Sequence, residues 1–160
     1  MVLPFILSLP TCAACLTAFG AGRRHGTGRQ AHHDRSSMKI VGTGVDLVEV
    51  PRFQKSMKRW GSRFLQRIFT PKELAYARSH RAGSHQHLAA RFAAKEAVVK
   101  ALSAPKGLGL EWKDLEILNE PSGQPKAFFH GSMRRWANCQ VHLSLTHTQR
   151  YAVATAFITR

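Results

Sequence analysis

The stretch Arg91-Phe92-Ala93-Ala94-Lys95-Glu96-Ala97-Val98-Val99-Lys100-Ala101-Leu102 constrains the fold more than any other part of this chain. Its Ala, Leu, Glu and Lys content favours a helix, and it sets one acid among cations and small residues. On a helix Glu96 and Lys100 lie four residues apart and share a face, while Phe92 and Val99 turn inward. Arg91, Lys95 and Lys100 then surround the carboxylate, as a site for a metal and a polyphosphate requires. The same pattern fits an amphipathic core helix carrying a solvated ion pair worth only a few tenths of a kcal/mol. The helix alone leaves both readings standing.

Ile40-Val41-Gly42-Thr43-Gly44-Val45-Asp46-Leu47 reads as a buried strand, with glycines allowing close backbone approach. An acid inside such a run is costly to bury unless it is paired or ligates a cation. Asp46 is therefore a metal-ligand candidate with Glu96 as the second carboxylate. Two carboxylates plus substrate phosphates and waters suit Mg²⁺. The alternative for Asp46 is a cap on the helix that starts near Glu49. Near the end, Val141 to Thr148 and Tyr151 to Ile158 alternate on either side of a short polar turn, which is a hairpin pattern. Ser144, Thr146 and His147 sit close to that turn and offer hydroxyls and an imidazole to a phosphate. Zinc is not indicated, because no Cys/His set accompanies them.

Together these segments resemble the holo-acyl-carrier-protein synthase family of 4′-phosphopantetheinyl transferases. The resemblance rests on Gly42-x-Gly44-x-Asp46-x-x-Glu49, Arg91-Phe-Ala-Ala-Lys-Glu-Ala-x-x-Lys-Ala101 and Ser144-x-Thr-His-Thr148. Phe69-Thr70-Pro71-Lys72-Glu73-Leu74, Gly107-Leu108-Gly109 and Ser122-Gly123-Gln124-Pro125 add smaller matches. Pro105 stands where the family's loop has a further glycine. The similarity spans Met38 to Arg160, a whole family domain.

The resemblance implies transfer of 4′-phosphopantetheine from coenzyme A to a serine of an apo acyl carrier protein, in fatty-acid biosynthesis. It implies Mg²⁺ held by Asp46 and Glu96, with Glu96, Lys100 and His147 as catalytic residues. Lys95, Gly107, Gly109, Ser144, Thr146 and His147 are implied to bind the coenzyme. A basic face of Arg52, Arg59 and Arg63 is implied to meet the acidic carrier. The expected assembly is a homotrimer with active sites between subunits, and the expected compartment is the cytoplasm.

The composition bounds these implications. The chain has 160 residues, which allows one domain and a small appendage, and its 44% apolar content suffices for a core. A formal net charge of +15 calls for anionic partners. A nucleic-acid-binding module is the competing class for such a charge, but no zinc-finger spacing or aromatic stacking motif accompanies the cations, so no nucleic acid is expected. Cys12, Cys15 and Cys139 make no disulfide framework, and Cys139 reads as a small apolar residue.

Residues 1–37 read as a foreign extension, disordered and dispensable for chemistry: an apolar front broken by Pro4 and Pro10, then a run rich in Gly, Arg and His. It fits neither a membrane span nor a secretory signal. A targeting segment and a true start at Met38 both remain open. From Met38 the pattern predicts a strand through Leu47, then a helix from Glu49 to Trp60 stopped by Gly61. A helix opened by Thr70 and Pro71 follows, ending near Ser79. The polar run from Ser79 to His87 then leads into the long helix. Strands at Leu115–Leu118 and Ala127–Phe129, a short helix at Ser132–Trp136 and the hairpin complete an α+β domain, a mainly antiparallel sheet packed with helices.

Overall fold

Glycine and alanine at alternate strand positions decide how closely a helix can approach this sheet. The computed structural model describes residues 39–80, 83–103 and 110–160, so the expectations for residues 1–37 and for Pro105, Gly107 and Gly109 lie outside the described residues. The elements are β1 (Ile40–Glu49), α1 (Val50–Ile68), α2 (Pro71–Ser79), α3 (Ser84–Ala101), β2 (Leu115–Asn119), β3 (Pro125–Phe129), β4 (Gln140–His147) and β5 (Tyr151–Thr159). Short 3₁₀ turns occupy Trp112–Asp114 and Gly131–Trp136. The expected α+β class is observed, with an antiparallel sheet in the order β1-β5-β4 and a separate β2-β3 ribbon.

α3 lies directly on the backbone of β1. A Cβ at Gly42 would stand 2.0 Å from the Ala101 carbonyl oxygen, and one at Gly44 would stand 2.1 Å from that of Ala97. Only glycine admits that approach. Next to β1, Ala154 and Ala156 of β5 oppose Asp46 and Gly44, and both alanines are buried. The expected amphipathic character of the long helix gives way here. One side of α3 joins Leu115, Ile117 and Ile158 through Ala93, Ala97 and Val98. The other joins Phe53, Ile68 and Phe69 through Leu88, Ala89 and Ala90. A helix placed between two cores needs small residues nearly all round rather than one apolar stripe.

Two boundaries differ from expectation. Gly61 does not stop α1; it adopts φ 60° and ψ −150° as a kink, and the helix resumes through Ile68. Phe64, Leu65 and Ile68 pack against the second core, and their burial holds the extra turns in place. α3 starts at Ser84, so His85, Gln86 and His87 belong to its first turn rather than to a polar loop. The α2 start is as expected: Thr70 Oγ accepts from Glu73 N at 3.3 Å, and Glu73 Oε2 accepts from Thr70 N at 2.8 Å.

Among the described residues, apolar side chains on the second face of the main sheet are left exposed. Val41, Val45 and Leu47 of β1 and Tyr151 and Phe157 of β5 are 45–58% exposed on it. Cys139 is a free, buried member of the first core. Among the described residues, no helix is long and apolar enough to cross a membrane.

Candidate active site

Strand alternation points Asp46 to the same side as Gly42 and Gly44, the side on which α3 lies. Lys100, in the last turn of α3, meets it there. Its Nζ stands 2.7 Å from Asp46 Oδ1 and donates to the Val45 carbonyl at 3.1 Å. Asp46 does not cap α1: the N-cap position is Glu49, with no side-chain cap bond. Glu96 lies one turn before Lys100. Burial pushes its carboxyl above the usual carboxylate range, the Asp46 charge pushes it further, and Lys100 opposes both. The structure thus brings Asp46, Glu96 and Lys100 together between β1 and α3.

Among the described residues, no third His, Cys, Asp or Glu joins the carboxylates in a group able to hold a metal. Two mutually repelling carboxylates nonetheless offer hard oxygens to a dication, and one of them also pairs with Lys100. Mg²⁺ usually keeps waters and takes substrate phosphate oxygens beside one or two carboxylates. The residues present fit that ion.

The expected ring of cations around Glu96 does not form. Successive helical residues diverge by about 100°, so Lys95 points away from its neighbour. Its ammonium is 0% exposed and stands 2.9 Å from Glu73 Oε2, and it donates to the carbonyls of Ile68 and Trp112 at 2.9 Å each. Burial lowers its pKa, and the Glu73 charge acts against that shift. Glu73 Oε1 in turn accepts from Ile117 N, and Glu116 accepts from Thr70 Oγ. Lys95 therefore joins α1, α2, the Trp112 turn and β2 at the back of α3. Arg91 is buried too: its guanidinium covers Tyr76 at 3.9 Å and donates to Asn119 Oδ1 at 2.7 Å.

The hairpin residues divide by parity. Ser144 and Thr146 of β4 are exposed on the open sheet face, while Leu143 and Leu145, which alternate with them, pack against the first core. His147, exposed at the end of β4, contacts His87 of α3 edge-on with ring centroids 5.0 Å apart. A cluster of Tyr76, His80 and His87 behind it escaped the sequence reading. The signal is the histidine-rich run His80 to His87, whose polarity hides that its second half begins α3. Arg52, Arg59 and Arg63 are exposed on α1, with the Arg59 guanidinium 4.9 Å over the Trp60 ring.

The small α+β domain thus sets two carboxylates and a lysine between a glycine-bearing strand and a helix. Residues 42–156 match the family model of the 4′-phosphopantetheinyl transferase superfamily, and the chain belongs to that family. It is 46% identical over 123 residues to the holo-[acyl-carrier-protein] synthase of Koribacter versatilis, covering 74% of this chain and 98% of that protein. It is 43% identical over 120 residues to the synthase of the same name from Thermodesulfovibrio yellowstonii, covering 75% and 99%. Among solved structures, the Neisseria meningitidis holo-[acyl-carrier-protein] synthase superposes with a TM-score of 0.68 at 28% identity, covering 76% of this chain and 100% of that one. The Bacillus anthracis synthase in complex with CoA (3′,5′-ADP) gives 0.64 at 31% identity, covering 77% and 98%.

Proposed function

We propose that this chain is a holo-[acyl-carrier-protein] synthase. It moves 4′-phosphopantetheine from coenzyme A to a serine hydroxyl of an apo acyl carrier protein, and adenosine 3′,5′-bisphosphate leaves. The observation that carries this reading is the meeting of Asp46, Glu96 and Lys100 within a domain that matches the family from residue 42 to 156.

The serine oxygen forms a new bond to the phosphorus that bears the pantetheine arm, and the pyrophosphate P–O bond on its far side breaks. Such a transfer asks the protein mainly for positioning and charge neutralisation. Glu96, directly or through a water, takes the serine proton. Lys100, released from Asp46, stabilises the leaving phosphate, and His147 contacts the coenzyme's phosphates. Mg²⁺, when bound by Asp46 and Glu96, supplies charge neutralisation at the pyrophosphate. Lys95 serves the fold: its buried ammonium has three protein partners. Arg52, Arg59 and Arg63 form the face that meets the acidic carrier.

The chain works as a homotrimer. Its support is the open sheet face, where the apolar side chains of Val45, Leu47 and Phe157 are at least half exposed and a neighbouring subunit would cover them. Ser144 and Thr146 share that face, so their contact with coenzyme is made across a subunit boundary.

The reading is tested by chromatography of the released nucleotide. Adenosine 3′,5′-bisphosphate should appear only when chain, coenzyme A and apo carrier are all present, in step with holo carrier. Tight, salt-sensitive oligonucleotide binding with no nucleotide release would return the chain to the nucleic-acid class.

A further inference from the structure

His147 stands exposed at the end of β4, where an imidazole would be free to rotate. Two consecutive residues in the first turn of α3 restrain it. Gln86 Nε2 donates to the Thr148 carbonyl at 3.5 Å, anchoring the backbone just past His147. His87 presents its ring to that of His147 at 5.0 Å and 78°, an edge-to-face arrangement. His87 is itself held from behind. His80 lies 4.6 Å from it and Tyr76 lies 5.8 Å away at 81°. Tyr76 stacks on His80 at 4.5 Å and carries the Arg91 guanidinium on its ring at 3.9 Å. The row of rings therefore runs from a buried arginine out to the exposed histidine.

We propose that His87 is a positioning residue, a wedge that fixes the His147 imidazole in the orientation in which it receives a coenzyme phosphate. This rests on the reading of His147 as a phosphate contact. The groups that face His87 are Tyr76 from α2, His80 just after it, Arg91 from α3 and His147 from β4. Burial, then the charges of His80, His147 and Arg91, hold the His87 pKa down to about 4. At neutral pH it is an uncharged ring, which packs against His147 without repelling it. An exposed side chain that must be immobilised by its ligand loses affinity, by between about twofold and tenfold for one rotatable group.

The test is a double-mutant cycle read by calorimetric binding of coenzyme A at neutral pH, on the full chain. His87→Ala should weaken binding between about twofold and tenfold. His87→Phe, which keeps an uncharged ring, should restore it. In the His147→Ala background, His87→Ala should cost nothing further, which a merely structural role for His87 would not produce. His87→Gln replaces the alanine variant in the cycle if that variant does not fold. An equal loss with and without His147, or no loss at all, overturns the inference and leaves the transferase reading intact. Wild-type chain that fails to bind coenzyme A overturns the transferase reading, and this inference with it.

Discussion

Lys100 reaches from the last turn of α3 to Asp46 on β1, where its ammonium lies 2.7 Å from Oδ1. The lysine is half exposed, with 51% of its side chain accessible, whereas Asp46 keeps only 16%. A partly exposed pair of this kind contributes at most about 1 kcal/mol to stability, so the fold loses little without it. Asp46→Asn should therefore abolish Mg²⁺-dependent turnover and leave the melting temperature within a few degrees of wild type. Normal activity in that variant would remove Asp46 from the metal site.

Lys100→Ala separates leaving-group stabilisation from docking. Turnover should fall by about a hundredfold or more while the Michaelis constant for the carrier changes little. A change confined to carrier affinity would reassign Lys100 to the docking face.

Glu96 is held near Asp46 at an electrostatic cost, since burial and the Asp46 charge both disfavour its ionised form. Without divalent cation, Glu96→Gln should raise the melting temperature by a few degrees; assayed with Mg²⁺, the variant should have no turnover. Added Mg²⁺ should stabilise wild type and leave Glu96→Gln unmoved, by linkage to a site that the variant lacks. Equal stabilisation of both proteins would show that the ion binds elsewhere.

Lys95 makes the opposite prediction to Lys100. Lys95→Met strands the Glu73 carboxylate, which is 0% exposed, and should cost about 3–5 kcal/mol in denaturant unfolding. Adding Glu73→Gln should recover part of that loss. A weakened affinity for coenzyme A with stability unchanged would instead place Lys95 at the coenzyme.

The acid side of the stability profile is set partly by His87. Its pKa of about 4 in the folded chain lies below the 6.5 of a free imidazole. The unfolded chain therefore takes up this proton first as pH falls, and the contribution present above about pH 6.5 is lost toward pH 4. His87→Phe should flatten that segment of the curve, read from urea unfolding at several pH values. An unchanged slope would show that other groups carry it.

Most of the elements were legible because their signals are local. Thr70-Pro71 with Glu73 marks a helix start by its own hydrogen bonds, and the alternation of Val141 to Ile158 marks a hairpin without reference to anything else. The meeting of Asp46, Glu96 and Lys100 was legible because a carboxylate in a strand and a Lys-Glu helix both call for a partner. What the sequence hid depends on contacts between distant segments. Lys95 looks like a site residue from its neighbour Glu96, yet its rotation about α3 delivers it to Glu73, twenty-two positions earlier. Gly61 looks like a stop until Phe64, Leu65 and Ile68 find a core to bury them. The parity that sets Ser144 and Thr146 apart from His147 is written in the alternation, but only the position of α3 says which face is which.

The central claim, phosphopantetheine transfer at the Asp46–Glu96–Lys100 site, is tested most directly by mass spectrometry of an apo acyl carrier protein. The carrier is incubated with the full chain, coenzyme A and Mg²⁺, beside a chelator control and the Asp46→Asn variant. The account predicts a gain of one phosphopantetheine with wild type, lost in both controls. An unmodified carrier with wild type, or the same gain in the presence of chelator, would contradict it.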